Sequence, residues 1–232
     1  MIVSIHQPNY LPWLGYFLKI ARSDVFVFLD DVQFSKNGYT NRTRVLGTGE
    51  PRWLTVPVSY EFGDIIRDVK VADPEWRSQH IDKLSTLYQF SPHFHETRSK
   101  LGDLYDSLPS DNLATINRLL VEGIINLLSI NRNILRSSDI PVAGLVGDDR
   151  LIALIQSIEG ATGYLSGRGG ANYQDESKFA AANLSITYND FEHPQYAQET
   201  GAFASGLSVI DAAFQLGWEG AAKLLAKLVP FA

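Results

Sequence analysis

The first thirty residues constrain the fold most. Ile2 to Ile5 is a short apolar run closed by polar residues and Pro8, and Val25 to Leu29 is a second, built of β-branched and aromatic side chains. Continuous apolar runs of this length read as strands buried on both faces. Between them Leu11 to Ala21 places Leu14, Phe17, Leu18 and Ala21 at helical spacing. Strand, loop, helix, strand is the unit of a parallel sheet, whose neighbouring strands need a crossover connection. The expected fold class is therefore α/β, with a Rossmann-like, mostly parallel sheet.

Polar residues from Gln33 to Asn41 read as a loop. Thr43 to Leu46, Trp53 to Ser59 and Ile65 to Val71 alternate as short strands or hairpin arms, with Pro57 putting the middle one at an edge. Asp73-Pro74-Glu75 carries the signature of a helix start, and helical periodicity runs to Tyr88 before Ser91-Pro92 interrupts it. Helices over Phe94 to Leu108 and Leu113 to Leu128 follow, the second opened by Ser110-Asp111. Alternation then returns: strand Ile134 to Arg136, helix Asp148 to Glu159, strand Gly163 to Ser166, helix Glu176 to Ala182, strand Leu184 to Tyr188. Val209 to Leu216 and Ala221 to Leu228 are apolar at helical spacing around Gly217. The expectation is a single α/β domain over residues 1–232 with a helical insertion at about 73–130.

A chain of 232 residues, 45% hydrophobic, can bury a sizeable core. Its 20 basic and 26 acidic residues give a net charge of −6, which argues against broad binding of nucleic acid or anionic membranes, so any anion site must be local. The absence of cysteine excludes disulfides, thiolate-ligated zinc and an acyl-enzyme thioester. No secretory leader and no apolar stretch of about 18 residues is present, so the expected location is cytoplasmic, without a membrane span.

His6 follows the first strand at its carboxyl end, where open α/β sheets place ligand-binding groups. It can act as an acid, a base or a hydrogen-bonding partner of the neighbouring backbone. Pro8 and Pro12 hold an extended turn before a helix whose first N–H groups could face an anion, and Gly15 is either part of that site or a point of close packing. Asp30 and Asp31 end the second strand, followed by Gln33, Asn41 and Arg42. Adjacent strand residues point to opposite sides, so only one of the two carboxylates would face a site. That carboxylate could orient His6 or a substrate amine while Arg42 clamps phosphate or carboxylate; alternatively Asp31 caps a turn and pairs with Arg42. Tyr164 to Tyr173, with Ser166, Gly167, Arg168, Gly169 and Gly170, reads either as a binding loop for phosphate or sugar or as a glycine-rich turn. His93 and His95 would diverge on a helix, which argues against a local metal pair, and no metal ligand set is expected.

His6-Gln7-Pro8-Asn9-Tyr10-Leu11-Pro12, Leu29 to Phe34, Asn41-Arg42 and Tyr164 to Tyr173, in this order over nearly the whole chain, resemble the WbqC-like family. The resemblance implies a role in O-antigen or related surface-glycan biosynthesis, with transfer of glycine or a similar acyl group to an amino sugar. It implies a small-molecule sugar or sugar nucleotide as partner, no permanently bound cofactor, and an activated acyl donor (thioester, adenylate or aminoacyl), free or on an acyl carrier. In that reading His6 is the general base with Asp30 or Asp31 orienting it. Gln7 or Asn41 serves the oxyanion, Arg42 and Arg168 clamp anions, and Asn9, Tyr10, Gln33, Ser166, Gly167, Gly169 and Tyr173 contact substrate. Two other classes stay open: an enzyme of nucleotide chemistry, since the first turn resembles nucleotidylyl-transferase folds without their paired histidines, and a non-catalytic sugar-precursor binding protein.

Overall fold

Five strands pair in parallel into one sheet in the computed structural model, which describes residues 1–229 apart from 48, 110, 143 and 199–201. In chain order they are β1 (Ile2–His6), β2 (Val25–Phe28), β7 (Asn133–Arg136), β8 (Gly163–Gly167) and β9 (Ser185–Asn189), arranged spatially as β7-β2-β1-β8-β9. Two further two-stranded ribbons lie outside it: β3 (Arg42–Leu46) with β4 (Pro51–Thr55), and β5 (Val58–Ser59) with β6 (Lys70–Val71). The chain therefore begins in the middle of the sheet, builds outward to β7, and returns past β1 to add β8 and β9. Strand order reverses between β1 and β8, the position where a doubly wound sheet opens a crevice at its carboxyl edge. This is an α/β, Rossmann-like fold.

Side-chain alternation divides the core. Val3, Ile5, Val25 and Val27 pack with Leu154, Ile155, Tyr164 and Phe179 on one face. Phe26 and Phe28 face the other way, toward Phe17, Ile116, Leu120 and Phe214. Those four belong to the second face's helices: α1 (Leu14–Ala21), α4 (Leu113–Leu127) and α7 (Val209–Ala226), the last kinked at Gly217. The first face is covered by α5 (Gly147–Gln156) and α6 (Glu176–Ala181). Helices α2 (Trp76–Tyr88) and α3 (Phe94–Asp106) precede α4 and fill the chain between β6 and β7. No helix among the described residues is long and apolar enough to cross a membrane.

Several boundaries differ from the periodicity reading. Helix α1 starts at Leu14 because Pro12 has no N–H and Leu11 is left-handed (φ 39°). The Leu11 carbonyl is held there by Thr43 Oγ1 and Ser208 Oγ, at 2.9 and 2.6 Å. The expected strand over residues 53–59 divides into β4 and β5, since Pro57 cannot donate to a ladder. The expected strand over 65–71 is instead a 3₁₀ turn, Ile66–Asp68, with only Lys70–Val71 extended. Asn112 rather than Ser110-Asp111 caps α4, its Oδ1 accepting from the Thr115 N–H at 2.9 Å; Ser110 lies outside the described residues.

Gly15, in the first turn of α1, is a packing position. A Cβ there would stand 2.5 Å from Phe191 and 2.7 Å from the Trp13 indole nitrogen. The helix start expected to face an anion is thus covered by aromatic side chains. Gly15→Ala is expected to destabilise by about 1–3 kcal/mol, the cost of overpacking, as measured by urea unfolding. Wild-type stability in that variant would show that Phe191 moves aside freely.

Candidate functional site

A cavity of about 310 Å³ opens at the carboxyl ends of β1 and β8, at the reversal of strand order. Its walls include His6, Gln7, Lys19, Tyr164, Ser166, Gln174 and the glycines 167, 169 and 170. Lys19 has no choice of direction, because every residue of α1 is buried. Its Nζ donates to the Ile5 carbonyl at 2.7 Å and lies 5.9 Å from the Tyr164 ring centre. It forms no ion pair among the described residues. Burial disfavours the ammonium and pulls the Lys19 pKa from 10.5 down to about 7.

His6 is its neighbour on the floor of the cavity. Burial first, and the Lys19 charge second, lower its pKa to about 3, against the opposing pull of the Gln7 carbonyl. The imidazole is therefore neutral at physiological pH. Its Nδ1 lies 3.1 Å from the Gln7 carbonyl, which can only accept, so Nδ1 carries the hydrogen and Nε2 keeps its lone pair. Tyr16 holds the ring edge-on at 4.8 Å and donates its hydroxyl to the same carbonyl at 2.9 Å. Burial likewise raises the Tyr164 phenol to about 12 and keeps it protonated.

The opposite wall is shaped by a close approach. Ser166 Oγ donates to Gln174 Oε1 at 2.7 Å, and a Cβ on Gly170 would collide with both atoms. Glycine at this position lets the turn after β8 fold over the cavity. Tyr173, 76% exposed, stands on the rim.

Of the residues expected to form a site, His6, Gln7, Ser166, Gly167, Gly169 and Tyr173 come together here. The carboxylates do not join them. Asp30 accepts from Ser137 Oγ (3.2 Å), the Ser138 N–H (3.1 Å) and Ser138 Oγ (2.8 Å). Asp31 pairs with Arg150 at 2.5 Å rather than with Arg42. Arg42 instead lies over the Trp53 ring at 4.0 Å and bonds Asn37, because the β3–β4 ribbon carries it away from the sheet. Asn41 is buried beside it, giving its Nδ2 to the Val56 carbonyl at 3.1 Å. Gln33 is exposed and bridges Ile65, Asn9 is buried, and Arg168 is exposed on the turn without lining the cavity. Tyr10 faces a different compartment: its hydroxyl meets His80 Nδ1 at 2.7 Å and the Tyr105 hydroxyl. His80 Nε2 donates to the Thr55 carbonyl at 3.0 Å, so Tyr10 donates to Nδ1 and that network is internally satisfied.

A sequence match to the WbqC-like protein family covers residues 7–223. The chain belongs to this family. An uncharacterized protein of Mycobacterium tuberculosis, Rv1507c, is 32% identical over 220 residues, 94% of each chain. No solved structure matches. The family match spans Lys19 and the turn after β8, so the two walls of the cavity both belong to the WbqC-like region of the protein.

Lys19 and Gln174 escape a search for polar motifs. The available signal for Lys19 was composition of the helix itself: a segment apolar on every side, lying between two buried strands, has no solvent face for a lysine. An ionisable group there is a buried one.

Proposed function

We propose that this WbqC-like protein is an amide-forming transferase that moves glycine or a similar small acyl group onto an amino sugar of a surface-glycan precursor. One observation carries the reading: a buried lysine without a carboxylate partner among the described residues lies beside a neutral histidine in the cavity at the strand-order reversal. Amide formation from an amine needs a proton acceptor matched to neutral pH and a site that disfavours the substrate's ammonium form. Lys19 meets both needs, since its charged form repels a second ammonium and its neutral form accepts a proton near pH 7.

The sugar amine attacks the carbonyl carbon of the activated acyl donor, the new C–N bond forms, and the bond to the leaving group breaks. The excess proton of the attacking nitrogen passes to Lys19 Nζ and from there to the leaving group. His6 Nε2 accepts a hydrogen bond from the amine and orients its lone pair. Gly167, Gly169 and Gly170 leave the backbone of the turn accessible to the acyl oxygen, and Tyr173 offers an aromatic face to the sugar ring. The donor is an external thioester, adenylate or aminoacyl compound, because the chain has no cysteine to carry the acyl group itself.

Mass spectrometry of the surface glycan from a deletion strain tests this. One acyl modification should be missing and should return with the wild-type gene but not with His6→Ala or Lys19→Met. With purified protein, amide formation should rise with pH through about 7 as Lys19 loses its proton. A glycan of unchanged mass in the deletion strain overturns the proposal.

A further inference from the structure

Beyond the end of β2, consecutive side chains separate two cavities. Leu29 lines the one containing Lys19, while Phe28 and Asp30 line a second, of about 260 Å³, on the other side. Into this second cavity three arginines converge from three elements: Arg67 from the 3₁₀ turn Ile66–Asp68, Arg118 from α4 and Arg136 from the end of β7. Ala114 and Thr115, in the first turn of the 15-residue helix α4, complete the wall. In a chain with a net charge of −6 this concentration of guanidinium groups runs against composition.

The hydrogen bonds show how the arginines are held and what they keep available. Arg118 meets both Glu122 oxygens through Nη1, at 2.9 Å, which leaves Nε and Nη2 without a partner among the described residues. Arg136 uses Nε and Nη2 on Asp139, both at 2.8 Å, which leaves Nη1. Among the described residues the side chain of Arg67 has only a 4.0 Å approach of Nε to Asp68. The acids act as steering groups on each arginine's own segment and offset the repulsion among the three cations. Asp30, 4% exposed, spends its oxygens on Ser137 and Ser138 and braces the wall.

We propose that this cavity is a binding site for a phosphoryl group, separate from the Lys19 cavity. Guanidinium N–H groups from three directions exceed what the two oxygens of a carboxylate can accept, whereas the oxygens of a phosphoryl group project in several directions. The positive end of α4 adds to the attraction. The inference does not depend on the chemistry assigned to Lys19, because no arginine of this site lines that cavity.

Titration calorimetry with inorganic pyrophosphate tests it. Wild-type protein should bind saturably, and Arg67→Gln and Arg118→Gln should each weaken binding about tenfold, the loss of a charged hydrogen bond. Arg118→Lys, which keeps the charge and loses the fork, should fall between. Lys19→Met should bind as tightly as wild type. Arg67 is about half exposed, so Arg67→Gln keeps its fold and its result stands even if Arg118→Gln does not fold. Absence of saturable binding, unchanged affinity in the arginine variants, or loss in Lys19→Met would each overturn the proposal.

Discussion

Lys19→Met is expected to make the protein more stable while abolishing the proposed amide transfer. The gain follows from the ammonium's environment: burial takes its pKa from 10.5 to about 7, which corresponds to roughly 5 kcal/mol of disfavoured charging. Methionine fills a similar volume without that cost, but loses the hydrogen bond to the Ile5 carbonyl, so the net gain at low pH is about 2–3 kcal/mol. The pH dependence has a definite sign. Between about 7 and 10.5 the unfolded chain holds a proton on Lys19 that the folded protein has released, so wild-type stability rises with pH across this window. Below the window the folded protein carries the buried charge in full, and above it neither state is charged. The advantage of Lys19→Met is thus largest below pH 7 and fades above 10.5. Denaturant unfolding of both proteins at about pH 6 and about pH 10 measures it. An equal gain at both values would assign the effect to packing rather than charge, and a variant less stable than wild type at low pH would contradict the argument. Stability exchanged for function in this way is what the proposed role of a buried ionisable group predicts.

His6 brings a second pH term in the acid range. Its pKa lies near 3 in the folded protein and near 6.5 unfolded, so stability it supports above pH 6.5 is lost as pH falls toward 3. The same group that stays neutral in the proposed reaction therefore sets part of the acid limit of the fold.

The alternation of apolar strands and helices was legible because each run buries both faces or one stripe, and periodicity reports that directly. The position of β8 beside β1 was not, since strand neighbours are decided by how crossovers pack and no local pattern encodes them. This is why local pattern could mark His6 and the turn after β8 each as a candidate site, while their meeting across the reversal was implied by the family resemblance alone. Asp31 illustrates the opposite failure: its expected partner was Arg42, yet a crossover brings Arg150 from α5 against it. Arg42 follows ribbon register instead. It pairs with Thr55, two residues beyond Trp53, which puts the guanidinium within diagonal reach of that ring. Tyr10 is close to His6 in sequence, but the turn between them sends it to His80 and Tyr105. Proximity along the chain misled where the backbone changes direction between strand and helix.

Asp211→Ala is expected to cost about 3–5 kcal/mol of stability, the range for removing one member of a buried charged network. Asp211 is fully buried in the first turn of α7 and, among the described residues, accepts hydrogen bonds from the Tyr88 hydroxyl at 2.9 Å, the Tyr196 hydroxyl at 2.7 Å and Gln198 Nε2 at 3.0 Å. Tyr88 in turn accepts the Leu46 N–H at 2.8 Å, so one carboxylate joins α7, α2, β3 and the segment that precedes α7. Burial and the Asp211 charge raise the pKa values of both tyrosines, which keeps them as donors. Alanine leaves those donors in a dry site without an acceptor, whereas Asp211→Asn retains one oxygen and should lose about half as much. The brace reaches the candidate site through the start of α7, where Ser208 Oγ and the Val209 N–H hold the carbonyls of Leu11 and Pro12 at 2.6 and 2.9 Å. Loosening it should raise hydrogen-exchange rates in the turn between β1 and α1 as well as lower the unfolding free energy. A loss below about 1 kcal/mol, or unchanged exchange in that turn, would show that water replaces the carboxylate and that the brace is local.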